Sequence, residues 1–220
     1  MRREFAGKEL MDLKEEWIQL AKELNFEFKE GFNAVLESKV VSSLMGGEFG
    51  PEGAAVFQTP IMQAILSRVF LGMATGKSGN YEFFVFKGDK TTSRNRTSYY
   101  VRTILAFPNS LGIGLNIEPS GFFDRLIRSI FPGKTVHTGN SDLDTVLSIK
   151  ADDQQKALRF LQSDTLKLKM LAFQKISPEL RINDHGLLHT EPGEIASATH
   201  IQEIMAYLTG LADEFCARNS

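Results

Sequence analysis

Any chemistry in this chain has to come from a few polar groupings, and each can be checked against the geometry its chemistry demands. Lys87, Lys90, Arg94 and Arg96 stand just ahead of Tyr99 and Tyr100, so one segment mixes cations with aromatic rings. That pairing suits single-stranded nucleic acid or phosphorylated ligands, with cations on phosphate and bases stacked on the rings. Lys90, Arg94, Arg96 and Tyr99 are therefore the candidate ligand-binding residues, against the simpler reading of a solvated hairpin tip. Gly72-Met73-Ala74-Thr75-Gly76-Lys77-Ser78 carries the lysine and hydroxyl of a phosphate loop. Leu71 stands where the first glycine should be, and a predicted strand follows where a helix N-terminus should hold the anion. The segment reads as a glycine-rich connection from helix to strand.

The other groupings are weaker still. His137, His185, His189 and His200 show neither the H-E-x-x-H nor the Cys/His spacing of a zinc site, so no metal is expected. Asp142 and Asp144 are expected on one face ahead of a strand. With His137 and the loop of Arg94 and Arg96 they are the residues from which an enzyme site would have to assemble. Asp152 or Asp153 reads as a helix cap. There is no G-x-S-x-G, and Cys216 lies near the end of a predicted helix with no neighbouring base. The expectation is no catalytic constellation and no cofactor.

Composition narrows the classes further. The 220 residues are 42% hydrophobic and 24% charged, the balance of a folded globular chain. Twenty-five Lys and Arg against 27 Asp and Glu give a net charge of -2, which excludes a strongly basic nucleic-acid coat. One cysteine cannot form an internal disulfide, so a reducing compartment is expected. Arg2 and Arg3 are followed by Lys8 and Glu9 instead of an apolar core, which is not a signal peptide. The longest apolar stretch, 54–73, is broken by Gln58, Pro60, Gln63 and Arg68, so no transmembrane segment is expected and the localisation reads as cytoplasmic.

The elements that would position these residues follow from periodicity. Leu10, Leu13, Trp17, Leu20 and Leu24 predict an amphipathic helix over 8–24. The same spacing is a two-heptad seam, so a homodimer through the first helix is the alternative to packing on its own domain. Helices are predicted over 32–44 and 60–71, with Gly46-Gly47 and Gly50-Pro51-Glu52-Gly53 between them. Strands are predicted at 81–86, 99–107 and 111–117, joined by a long polar loop over 88–98 and a turn at 108–110 as an antiparallel meander. Residues 122–131 read as a short helix covering the sheet rather than lying on a membrane. A fourth strand at 145–149, helices containing Ala157 to Leu161 and Thr165 to Phe173, a hairpin over 180–189 and a long helix over 195–217 complete the chain. The fold class is α+β: a mostly antiparallel sheet of five or six strands covered by helices, in a single domain with a mainly helical part over 1–78 and a sheet-containing part over 79–220.

Tyr100-x-Arg102-Thr103, then Leu115-x-Ile117-x-Pro119-x-Gly121-Phe122, then Thr138-Gly139-x-x-x-Leu143-Asp144 resembles a group of uncharacterised bacterial proteins across the last half to two thirds of the chain. The resemblance implies a bacterial origin and a shared fold, and no mechanism. The Thr138 to Asp144 element needs only to be a turn with internal polar hydrogen bonds. The function expected is a non-catalytic binding or protein-interaction module. Seventeen phenylalanines against four tyrosines make a carrier or sensor of a lipid-like molecule the runner-up, ahead of an enzyme of unrecognised type.

Overall fold

A computed structural model describes residues 2–31, 38, 40–41, 43–44, 71–92, 96–120 and 135–219; at 2–11, 89–92 and 96–97 the description is of the backbone alone. The first helix, α1 (Arg2–Glu23), is set by the apolar spacing that predicted it. It stops where Asn25 turns left-handed (φ 57°) and the Phe26 N–H closes back on the Ala21 carbonyl at 2.8 Å. Trp17, Leu20, Ala21 and Leu24 are buried in the chain's own core, so the face available for a coiled-coil seam is already in use.

One antiparallel sheet of eight strands forms the centre, in the order β1 (Glu27–Glu30), β2 (Gly72–Ser78), β3 (Tyr81–Thr92), β4 (Arg96–Ala106), β8 (Gly186–Pro192), β7 (Arg181–Asn183), β5 (Asn116–Pro119), β6 (Leu147–Lys150). Among the described residues, besides the helical positions 40–41 and 43–44, the further helices are α2 (Ser141–Val146), α3 (Gln154–Phe160), α4 (Asp164–Ile176) and α5 (Ala198–Cys216). Side chains alternate across the sheet. Phe83, Val85, Val101, Leu105, Ile117, Ile182 and Leu187 enter a large core that also contains residues of α1, α4 and α5. On the other face Met73, Phe84, Phe86, Ile104 and Leu188 form a second core with Val41 and Leu44. No described helix is long and apolar enough to cross a membrane.

The α+β class and the long last helix stand, but the count of five or six strands does not. Two strands, β1 and β2, come from the part expected to be mainly helical and pair with β3 in the same sheet. The glycine-rich segment is β2 itself. Its glycines permit close approach, since a side chain at Gly76 would overlap the Phe26 ring and one at Gly72 would meet the Lys29 carbonyl. The polar loop over 88–98 is instead mostly strand: β3 and β4 pair from Glu82↔Ala106 out to Thr92↔Arg96. The register of a long hairpin, with Thr91 paired to Thr97, outweighs the local polarity.

The alternation of Leu111, Ile113 and Leu115 is not a strand. Gly112 and Gly114 are left-handed (φ 63° and 64°), so the backbone curls until β5 begins at Asn116. The predicted strand at 145–149 begins later, because Asn140 caps α2 by accepting from the Leu143 N–H at 3.0 Å and the helix runs to Val146. Asp153 caps α3 and the hairpin of β7 and β8 forms around its Asn183 to Gly186 turn. The predicted helices at 60–71 and 122–131, most of 32–44 and the loop at 46–53 lie outside the described residues, except that Val40, Val41, Ser43 and Leu44 are helical and Leu71 is not.

Candidate functional site

The β3–β4 hairpin divides the sequence-predicted cluster. Register pairs Lys90 with Ser98 and Thr92 with Arg96, whereas Tyr99 pairs with Asp89. Strand alternation therefore puts the positions of Lys90 and Arg96 on one face and that of Tyr99 on the other. Arg94 lies outside the described residues. Tyr99 already has a cation over its ring, Lys87 Nζ at 3.8 Å, and Lys87 is a buried lysine 3.7 Å from Glu194. Of the candidate enzyme residues, Asp142 and Asp144 do not converge either. Asp142 and Asp144 sit two residues apart on α2, so they point away from each other. Asp144 accepts from Thr138 N and Oγ1 at 3.0 and 2.8 Å, tying the turn together, and His137 is exposed. Among the described residues no group of three His, Cys, Asp or Glu could hold a metal.

What the structure does assemble is an apolar face on α4 and α5. Seven of the thirteen α4 residues are apolar, more than one buried stripe can use. Leu166, Met170 and Phe173 are buried beneath the helix. Leu168, Ala172 and Ile176, four residues apart, form a second stripe on its solvent side, with Leu168 65% and Ile176 43% exposed. Tyr207 of α5 stands beside this stripe at 54% exposure. Between the helices lies an open apolar slot of about 300 Å³ lined by Phe173, Ile176, Tyr207 and Leu211, with Lys169 at its end. Lys169 is held by the Gly210 carbonyl at 3.1 Å and Glu214 at 2.8 Å, which locks the two helices together. That pairing holds the Glu214 carboxyl below the usual carboxylate range.

Below the slot the chemistry turns polar. Phe173 packs 6.1 Å from Tyr207 and, on its other side, 5.9 Å from the ring of His189. His189 is 1% exposed, and among the described residues neither of its ring nitrogens has a hydrogen-bond partner. Its Nε2 stands 3.6 Å from Glu191, whose carboxylate also meets His200 Nε2 at 2.6 Å. Burial pushes the Glu191 carboxyl up, but the two imidazoles outweigh it and hold the group below its ordinary range. The arrangement pins the first turn of α5 to β8. A second depression, about 720 Å³, runs between α1 and 195–198 over Ile18 and Ile195, with Glu15, Glu16 and Glu23 around it.

The apolar pattern over 165–173 predicts a helix without dividing its residues between core and surface, so the α4–α5 face is not among the sites expected from sequence. The signal was the excess of apolar residues: Leu168 falls out of phase with Leu166, Met170 and Phe173.

No family model matches the chain, and no curated protein matches it. Among solved structures it is similar to the crystal structure of the mycobacterial trehalose monomycolate transport factor A, TtfA, at 11% sequence identity and a TM-score of 0.48, covering 92% of this chain and 93% of that one.

Proposed function

We propose that the protein is a non-catalytic interaction module whose α4–α5 face binds a protein partner. The observation that supports this reading is the exposed stripe of Leu168, Ala172 and Ile176 beside Tyr207. A contiguous apolar patch on a folded monomer marks a contact surface, and an exposed tyrosine beside a groove is a common anchor. The slot is open and, at about 300 Å³, sits at the small end of ligand pockets. It suits one apolar side chain pressed in from outside better than a lipid enclosed within.

Native mass spectrometry of the protein purified gently from its own host tests the reading. The expected result is a bound protein chain that is lost from the Tyr207→Glu variant. A stoichiometric adduct of small-molecule mass, released on denaturation, would instead establish the carrier reading.

A further inference from the structure

The charges flanking the seam identify the partner, an inference that rests on the interaction reading above. α4 carries Lys167, Lys169 and Lys175 against the single carboxylate of Asp164. α5 carries Glu203, Asp213 and Glu214 and has no lysine or arginine. Helical spacing places Glu203, Tyr207, Gly210 and Glu214 in one row toward α4, which is where Lys169 meets Gly210 and Glu214. On α4, Lys175 flanks the exposed Leu168, Ala172 and Ile176. Lys167 pairs with Asp164 and Lys169 with Glu214 within the chain, so the charges that a partner would meet beside the apolar seam are those of Lys175 on α4 and of Glu203, 65% exposed, on α5.

A partner of one charge sign would be attracted by one helix and repelled by the other. A partner with the same two-sided layout is attracted by both, provided it is turned over. A two-fold axis along the seam does this to a second copy of the chain: α4 of each copy crosses to α5 of the other, and the same complementary contact forms twice. We infer that the α4–α5 face is an isologous homodimer interface. Tyr207 and Leu168 are its apolar anchors, and the charges of Lys175 and Glu203 fix its orientation.

Sedimentation equilibrium of the purified full chain tests this, with circular dichroism to verify folding. The wild type should be dimeric, and Tyr207→Glu and Leu168→Glu, both at exposed positions, should be monomeric. Lys175→Glu and Glu203→Lys should each weaken self-association about tenfold, because symmetry counts every reversed charge twice. Mixing the two charge variants should restore a heterodimer, since each then presents what the other lacks. A wild type that remains monomeric at about 100 μM overturns the inference. So does a dimer indifferent to the Tyr207 and Leu168 variants, or a mixture that gains nothing over its components. A monomer that still carries a different protein in the native spectrum, lost with Tyr207→Glu, would sink the homodimer and leave the interaction module standing.

Discussion

The Asp184 carboxylate accepts the backbone N–H of Leu115 at 2.8 Å, joining two stretches of chain 69 residues apart. Its second oxygen takes the N–H groups of Ile113 and Gly114 at 3.1 and 2.9 Å. Two left-handed glycines curl the backbone until its donors converge, and the turn between β7 and β8 supplies the anion that fills the nest. Asp184→Ala leaves these donors without their acceptor and should cost about 3 kcal/mol in chemical denaturation. A loss below about 0.5 kcal/mol would show that the nest is not structural.

Glycine substitutions should separate strained from free positions. Gly114 is left-handed, and a side chain there would run into the Asp152 carboxylate. Gly114→Ala should destabilise by about 1–2 kcal/mol. Gly210, inside α5, has nothing within 4 Å of where a Cβ would stand. Gly210→Ala should stabilise by up to about 1 kcal/mol in thermal unfolding, while narrowing the slot it lines.

Acid stability should depend on Glu191. Its folded-state pKa lies below the unfolded one, so its contribution is fully present above the ordinary carboxylate range, near 4.5, and is lost as pH falls through the lowered value. Glu191→Gln should therefore flatten the fall in stability below about pH 4.5 and leave its slope near pH 9 unchanged, as read from denaturation midpoints across pH. An identical acid slope in wild type and variant would contradict the assignment.

At the other end of α5, the Tyr81 hydroxyl donates to Asp213 Oδ1 at 2.6 Å beside Cys216. Burial, then the bond to Asp213, raises the tyrosine well above its usual value, and burial raises the thiol. A raised pKa contributes stability below the unfolded value and loses it above, so the fold should weaken above about pH 10. Tyr81→Phe should remove much of that alkaline loss at a cost of about 1 kcal/mol at neutral pH. Cys216 should react with a thiol reagent at pH 8 far more slowly in the native than in the unfolded chain. Equal rates would contradict its partial burial.

The parts of the fold legible in sequence were those where one local rule acted alone. The three- and four-residue spacing of Trp17 and Leu20, the cap at Asp153 and the turn after Asn183 all became what they predict. Elsewhere a second effect overrode the first. Leu111, Ile113 and Leu115 alternate like a strand, but the glycines between them take the backbone left-handed to reach an acceptor far along the chain. Polar residues beyond Gly88 are strand because the facing arm of the hairpin supplies partners. The candidate site was hidden for a related reason. Lys90, Arg96 and Tyr99 are neighbours in sequence, and pleating puts the position of Tyr99 on the opposite face from those of Lys90 and Arg96. Glu191 and His200 carry no recognisable spacing and meet only because α5 folds back over β8. The stripe of Leu168 and Ile176 shows in the sequence only as an excess of apolar residues out of phase with Leu166, Met170 and Phe173, because one buried stripe uses only part of them.

Whether the α4–α5 face contacts protein can be read by placing a photo-crosslinking amino acid at position 168 in the host and irradiating. A crosslinked product of one discrete protein mass is expected, absent when the probe sits at Gln155 on α3 and lost when Tyr207 is replaced by Glu. Crosslinking to lipid alone, or the same products from position 155, would contradict it.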